Sequence, residues 1–261
     1  MMRKKTFLLE PEWMTIPFMK NPKLPFHELL DILLQSPALM DRGEEIKQET
    51  NPHEKLRLSL KMVETTWELD EELEAFYKRL QIIMNAPLYW PVPNESAQTH
   101  NGESLEPYQF EYNLHFLDVR LGSQLMLFWA AQVLLFSGMC ELYELIDQLL
   151  LGIAPHRPTE LWPDFDAIAS RINQPPLGHR TEFIIQARQV CQSVEFCVGD
   201  FLALPVVIAP LSIISQILLC WPGYEREVAW ARKALVKVRL RGVEMARHFP
   251  SPVILAPETC E

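Results

Sequence analysis

One stretch of twenty-one residues, FLALPVVIAPLSIISQILLCW at 201–221, contains no Asp, Glu, Lys, Arg or His. Its length suits a helix that crosses a bilayer, but Pro205 and Pro210 interrupt it and three polar residues follow them. We therefore expect a proline-started helix over about 210–221, buried on every side inside the protein, with a bend at 205–210. No membrane span is predicted.

The composition is typical of a globular protein, with 48% hydrophobic and 22% charged residues in a chain of 261. The formal net charge of −10 disfavours direct DNA binding, because phosphate contacts need clustered Lys and Arg. Near the start, the apolar stretch Phe7–Leu9 is followed at once by Glu10, which is too short for a secretory signal. We therefore expect an intracellular protein, either nuclear or cytoplasmic.

Apolar residues at spacings of three and four predict helices along most of the chain. Polar, Pro-rich or Gly-containing segments predict solvated loops at 41–51, 86–107 and 152–178. No alternating pattern indicates a strand. Besides the helix at 210–221, the predicted helices cover 25–35, 52–84 with a break near Asp70, 108–151, 164–171, 180–203 and 224–248.

The sequence thus predicts an all-α fold. We expect a single domain over residues 1–261, a bundle of about 7–9 helices around a central pair that is almost fully apolar.

The spacing of Cys and His gives no sign of a metal site. The five cysteines are odd in number and form no C-x-x-C pair, and the seven histidines are scattered. The sequence also lacks the signatures of nucleotide, dinucleotide and serine-hydrolase sites. We expect neither a metal nor a cofactor.

His115, Asp118 and Glu195 are the candidates for acid–base chemistry. His115 and Asp118 lie three apart in a predicted helix, where the carboxylate could orient the imidazole. Glu195 lies on a mostly apolar helix, where an enclosed carboxyl group could donate a proton at neutral pH. Alternatively, the first two belong to a polar turn with an exposed ion pair at a helix start, and Glu195 forms an intrahelical or surface ion pair.

Aromatic and cationic residues are the candidates for ligand binding. Their types suit a cavity for a flat or apolar molecule, although core packing uses the same aromatic residues. The basic helix at 226–249 could meet acidic partners, or its charges could form a solvated face. The ligand-binding candidates are Trp67, Tyr89, Trp90, Arg120, Trp129 and Arg188.

Several stretches together resemble a known family. They are, in chain order, PEWMTIPF, LLDILLQSPALMDR, VETTWELDEELEAFYKRL, LFWAAQVLLFSGMCELYELI, ARQVCQSVEFC and EREVAWARKALVKVRLRGVEMARHF. The chain resembles the helical C-terminal regulatory region of fungal zinc-cluster transcription factors, with gaps at 86–107 and 152–178. The family's six-cysteine zinc cluster has no counterpart, since the first cysteine is Cys140. The resemblance therefore implies a related helical region without the family's means of binding DNA.

Three functional hypotheses follow. The first is a regulatory or ligand-binding module, linked to secondary metabolism, that binds a hydrophobic small molecule. The second is a cofactor-free cyclase or isomerase of a fungal natural-product pathway, for example one with pericyclase-like chemistry. In such an enzyme an apolar cavity orients a flexible substrate. The third is a protein-interaction scaffold that binds a protein partner or forms a homodimer. The first two require a hollow lined by the apolar helices.

Overall fold

The computed structural model describes residues 8, 10–94, 110–153, 182–199 and 204–240. These residues are mainly helical, with one small two-stranded sheet, which confirms the predicted all-α class. The helices are α1 Pro11–Thr15, continued by a 3-10 turn at Ile16–Phe18, then α2 Pro25–Leu33, α3 Ser36–Gln48, α4 Pro52–Met84, α5 Val119–Ile153, α6 Ile184–Cys197, α7 Leu204–Leu219 and α8 Glu225–Leu240, and the strands are β1 Tyr89–Pro93 and β2 Tyr112–Phe116.

The chain divides into two compact units. The first comprises Met1–Leu80 with Leu135–Glu182, and the second comprises Gln81–Leu134 with Phe183–Glu261. The boundaries fall within α4 and α5, so each of these long helices contributes residues to both units. The prediction of one domain over 1–261 stays a prediction.

In the first unit, α4 presents a buried stripe at helical spacing that includes Leu60, Val63, Trp67 and Leu73. The indole nitrogen of Trp67 donates a hydrogen bond to the Tyr143 hydroxyl oxygen at 3.1 Å, which ties α4 to α5. The predicted helix at 52–84 is confirmed, but the break near Asp70 is wrong. Residues 66–74 contain neither Gly nor Pro, so the helix continues.

The prediction of a solvated loop at 41–51 is also wrong. These residues lie mostly in α3, which has Pro37 in its first turn and buries Ile46. Glu, Lys and Gln are good helix formers, so a polar composition alone does not exclude a helix.

In the second unit, β1 and β2 pair antiparallel, with Tyr89 opposite Phe116 and Trp90 opposite His115. The prediction of a helix from residue 108, and of no strands, is therefore wrong: α5 begins at Val119. In YNLHF, the buried Leu114 and Phe116 alternate with less buried neighbours, which is the period of a strand. Five residues were too few to distinguish this alternation from a helical pattern.

The uncharged segment forms α7, which begins at Leu204 and continues through Pro210, so the predicted helix start near 210 is wrong and residues 205–210 are helical. Most of its side chains are buried, but Leu219 at its end is 52% exposed, so burial on every side is wrong. The buried hydroxyl groups of Ser212 and Ser215 donate to carbonyl oxygens of the same helix, at 2.7 and 3.1 Å. These bonds satisfy the polar groups that the sequence places in an apolar setting.

The remaining predicted helices agree with α2, α6 and α8 within several residues at each end. The predicted helix at 164–171, the end of the last helix beyond Leu240 and most of the connectors 86–107 and 152–178 lie outside the described residues.

One helix in the described part of the chain, Val119–Gly152, is long and apolar enough to cross a membrane. The protein buries 78% of its most apolar stretch, as is typical of a core helix. The predicted segment at 201–221 gives a shorter helix.

Gly122 allows the close approach of α5 to its neighbours in the second unit. A Cβ atom there would lie 2.9 Å from Cδ2 of Phe116 and 3.0 Å from Sγ of Cys197. On the same helix, a Cβ at Gly138 would have no such neighbour within 4 Å.

We predict opposite effects for the two alanine substitutions. Gly122→Ala should lower the free energy of unfolding by roughly 1–3 kcal/mol, because Phe116 and the Cys197 thiol must move. Gly138→Ala should raise it by about 0.5–1 kcal/mol through helix propensity. Urea unfolding of both variants measures the difference, and equal shifts in one direction would contradict the packing described for Gly122.

Candidate functional site

Two of the predicted ligand-binding residues meet in an aromatic cluster of the second unit. The ring of Tyr89 lies 5.3 Å from that of Trp129 in an edge-on arrangement, and Phe116 is 6.3 Å from both. Phe196 of α6 packs edge-on against Phe116 at 5.4 Å. These separations are those of directly packed rings, and within the cluster Phe116 and Trp129 are buried whereas Tyr89 and Phe196 are half-buried.

The Tyr89 hydroxyl oxygen accepts a hydrogen bond from the side-chain amide of Gln189 at 3.1 Å. The other two predicted tryptophans lie elsewhere: Trp67 belongs to the first unit, and Trp90 on β1 is 41% exposed. The structure therefore brings together Tyr89 and Trp129 but not all four aromatic candidates.

The three catalytic candidates make separate structural contacts. His115 lies in β2 with its ring 5.3 Å from Phe196, so the prediction that it shares a helix face with Asp118 is wrong. Asp118 precedes α5, and its Oδ1 accepts a hydrogen bond from the Leu121 backbone N–H at 2.8 Å, as in an N-terminal cap. Within the described residues, no hydrogen bond joins any two of the three candidates.

Glu195, the third candidate, forms the surface ion pair that the alternative hypothesis described. Its two carboxylate oxygens accept hydrogen bonds from Nζ of Lys237 at 2.8 and 3.0 Å. Both side chains are nearly half exposed.

Arg120 is exposed on α5, whereas Arg188 connects two helices. Nε and Nη2 of Arg188 donate to Oε1 of Glu227 at 3.0 and 2.8 Å, which joins α6 to α8. Glu227 keeps only 5% of its side chain exposed, so this pair places a charge inside the second unit and neutralises it there. The contact gives Arg188 a structural role.

A cleft of about 560 Å³ lies where α7 ends and α8 begins, and sequence reasoning missed it. One wall is the end of α7 and the turn that follows it. This wall consists of Leu218, Leu219, Cys220, Trp221 and Pro222. We call the feature the α7–α8 cleft.

The opposite wall is one face of α8. Glu225, Val228, Ala229 and Arg232 line it, and their spacing of three, four and seven residues places them on the same side of the helix. Most of the lining side chains are apolar. Because Leu219 and Ala229 are exposed, the cleft is also open to solvent.

The turn between the walls is built by local chemistry. Gly223 adopts a φ of +94°, a conformation that side chains disfavour. Its N–H donates to Oε1 of Glu225 at 3.0 Å. Hydrogen bonds from the backbone N–H groups of Gly223 and of Glu225 itself hold the pKa of that carboxyl below its ordinary value, so it is ionised at neutral pH. The edge of the Trp221 ring meets Phe183 at 5.2 Å, which fixes this wall.

The sequence carried a weak signal for this cleft. The stretch CWPGYE joins two predicted helices and contains two aromatic residues, a proline and a glycine. The face of α8 that lies opposite this stretch depends on how α7 and α8 pack. The spacing of residues in the sequence does not predict this packing.

The described cysteines differ in accessibility. Cys140, Cys191 and Cys197 are buried, and burial raises the pKa of Cys140 to about 11 and that of Cys197 to about 12. Burial also raises the pKa of Cys191. Cys220 is exposed in the α7–α8 cleft, and Cys260 lies outside the described residues.

Among the residues that the structure describes, no group of three or more His, Cys, Asp and Glu side chains is placed to hold a metal ion. Comparisons with protein-family models, with curated proteins and with solved structures give no match for this chain.

We predict that the two ion pairs of α8 differ in strength. Replacing Arg188 by Met should destabilise the protein by roughly 2–4 kcal/mol, because Glu227 is left as a buried charge. The double variant R188M/E227M should recover part of this loss, giving a coupling of at least about 1 kcal/mol. For Lys237 and Glu195, the same cycle should give less than about 1 kcal/mol, since both are solvent-exposed. Equal couplings in urea unfolding would contradict this assignment.

We also predict selective thiol chemistry. In a Cys260→Ser variant at pH 7.5, an aromatic disulfide reagent should modify Cys220 rapidly and the three buried thiols only after unfolding. Absorbance of the released thiolate counts the modified groups, and peptide mass spectrometry locates them. Rapid modification of Cys191 or Cys197 in the folded protein would contradict the packing of α6.

Proposed function

We propose that this chain is a helical domain that binds a hydrophobic small molecule in the α7–α8 cleft. The observation that carries the proposal is the cleft itself, which pairs apolar side chains with one acidic and one basic residue. Its volume of about 560 Å³ lies within the usual range of small-molecule sites. The proposed ligand is still a hydrophobic small molecule, as the sequence analysis predicted. The proposed binding residues are those that line the cleft and not the candidates chosen from the sequence.

Binding is better supported than catalysis. Asp118 and Glu195 are each engaged in a structural hydrogen bond, and His115 packs against an aromatic ring. The cleft carboxylate of Glu225 is held by backbone N–H groups, where it stabilises the turn. General acid–base catalysis needs a group within hydrogen-bond reach of the substrate and of matched acidity. The cyclase or isomerase hypothesis therefore has less support than a binding module.

The regulatory part of the proposal rests on the resemblance to fungal transcription factor regulatory regions. A ligand between α7 and α8 would contact two helices that both pack on α6. A ligand that binds one arrangement of these helices more tightly than another would shift the unit towards that arrangement. Ligand-dependent binding of a protein partner would then follow from the difference in ligand affinity between arrangements.

The test uses Nile red, an uncharged dye whose fluorescence rises in apolar surroundings. We expect saturable binding to the wild-type chain and a loss of at least tenfold in affinity for Ala229→Phe, because the new ring fills the cleft from an exposed position of α8. Val236→Phe adds the same ring to an exposed position of α8 outside the cleft, and it should bind like the wild type. Equal dye binding by all three proteins would show that the dye sits elsewhere and would refute the proposed site.

A further inference from the structure

Among the described residues that line the cleft, Arg232 is the one cationic side chain, and it is available to a ligand. It is exposed, and no hydrogen bond or salt bridge in the described part of the chain engages its guanidinium group. The residues three and four positions away on α8 are Val228, Ala229, Leu235 and Val236, so the helix supplies no acidic neighbour at pairing distance.

The acidic residue of the cleft is arranged differently. Glu225 lies seven positions before Arg232, about 10 Å along the helix axis, and its carboxylate already accepts the Gly223 N–H. An anion in the cleft would therefore be repelled at the Glu225 end and attracted at the Arg232 end. Ala229 lies between these two residues on α8, and Leu218 and Trp221 add apolar side chains to the lining of the same cleft.

We propose that the cleft binds an amphiphilic carboxylate, an apolar acid whose carboxylate group pairs with Arg232 and whose apolar part lies against Leu218 and Trp221. This inference rests on the proposed function and specifies the class of its ligand. A guanidinium group can bind a carboxylate through two parallel hydrogen bonds, which adds direction to the attraction. Burial of the apolar part contributes the larger share of the affinity, because an exposed ion pair alone is weak.

The test compares decanoate, decan-1-ol and decylammonium as competitors of Nile red at pH 7.5, each below its aggregation concentration. Decan-1-ol is the more hydrophobic of the first two, so burial alone would favour the alcohol. We expect decanoate to displace the dye at a concentration roughly three- to tenfold lower than the alcohol, and decylammonium to be the weakest of the three. The preference for decanoate should shrink in 1 M salt.

Variants assign the preference to one residue. In Arg232→Gln the ratio of decanoate to decan-1-ol affinity should fall to about one or below, and in Arg232→Lys it should recover in part. Arg226→Gln removes an exposed arginine of α8 outside the cleft and should leave the ratio unchanged. Bound decanoate should also slow modification of Cys220 in the Cys260→Ser background, which places the ligand in the cleft.

The outcomes separate this inference from the function on which it rests. If the alcohol competes as well as decanoate, or if Arg232→Gln keeps the preference, the inference is overturned while an apolar site remains. Stronger competition by decylammonium would assign the polar contact to Glu225 and would also overturn it. If Nile red binds in the cleft of neither the wild type nor the Val236→Phe variant, the proposed function fails first.

Discussion

The burial of the uncharged part of α5 is the constraint on which the rest of this fold depends. From Leu121 to Cys140 the helix carries no charged side chain, and most of these residues are buried. Every side of the helix therefore needs a cover: β1, β2 and α6 contact it in the second unit, and α4 contacts it in the first. Since each large apolar side chain contributes about 1.5–3 kcal/mol when fully buried, this helix contributes strongly to the stability of the chain.

Polar groups of the second unit hold a helix start, a helix pair and a turn in place. Asp118 caps the start of α5, and Arg188 neutralises Glu227 where α6 meets α8. The carboxylate of Glu225 holds the turn before α8. The α7–α8 cleft differs from these sites, because its apolar side chains are open to solvent. It also contains Arg232, a cation without a partner among the described residues, so both features are available to a ligand.

Sequence reasoning succeeded where one helix face is apolar over many residues, as in the stripe of α4 that contains Leu60 and Trp67. It failed where local patterns were short or polar: YNLHF is a strand, and the charged stretch after Pro37 is a helix. It also placed a bend at 205–210 and a helix start near Pro210, whereas α7 runs from Leu204 through this proline. Because a proline inside a helix removes one backbone hydrogen bond, sequence reasoning favours a helix start at such a residue.

The candidate site was harder to predict than the fold, because side-chain type does not tell which residues meet. Trp129 was a ligand-binding candidate because it is aromatic, but it is buried in the core and packs against Tyr89, whereas Ala229 gives no signal in the sequence and lines the cleft. Its position depends on the packing of α8 against the end of α7, a contact that no spacing reveals.

Photochemical labelling tests the central claim, that the α7–α8 cleft is the place where this chain binds an apolar molecule. An uncharged alkyl diazirine, irradiated with the folded protein and mapped by peptide mass spectrometry, should attach mainly between Leu218 and Arg232. Labelling concentrated on the aromatic cluster around Trp129, or spread evenly along the exposed apolar residues, would contradict the account.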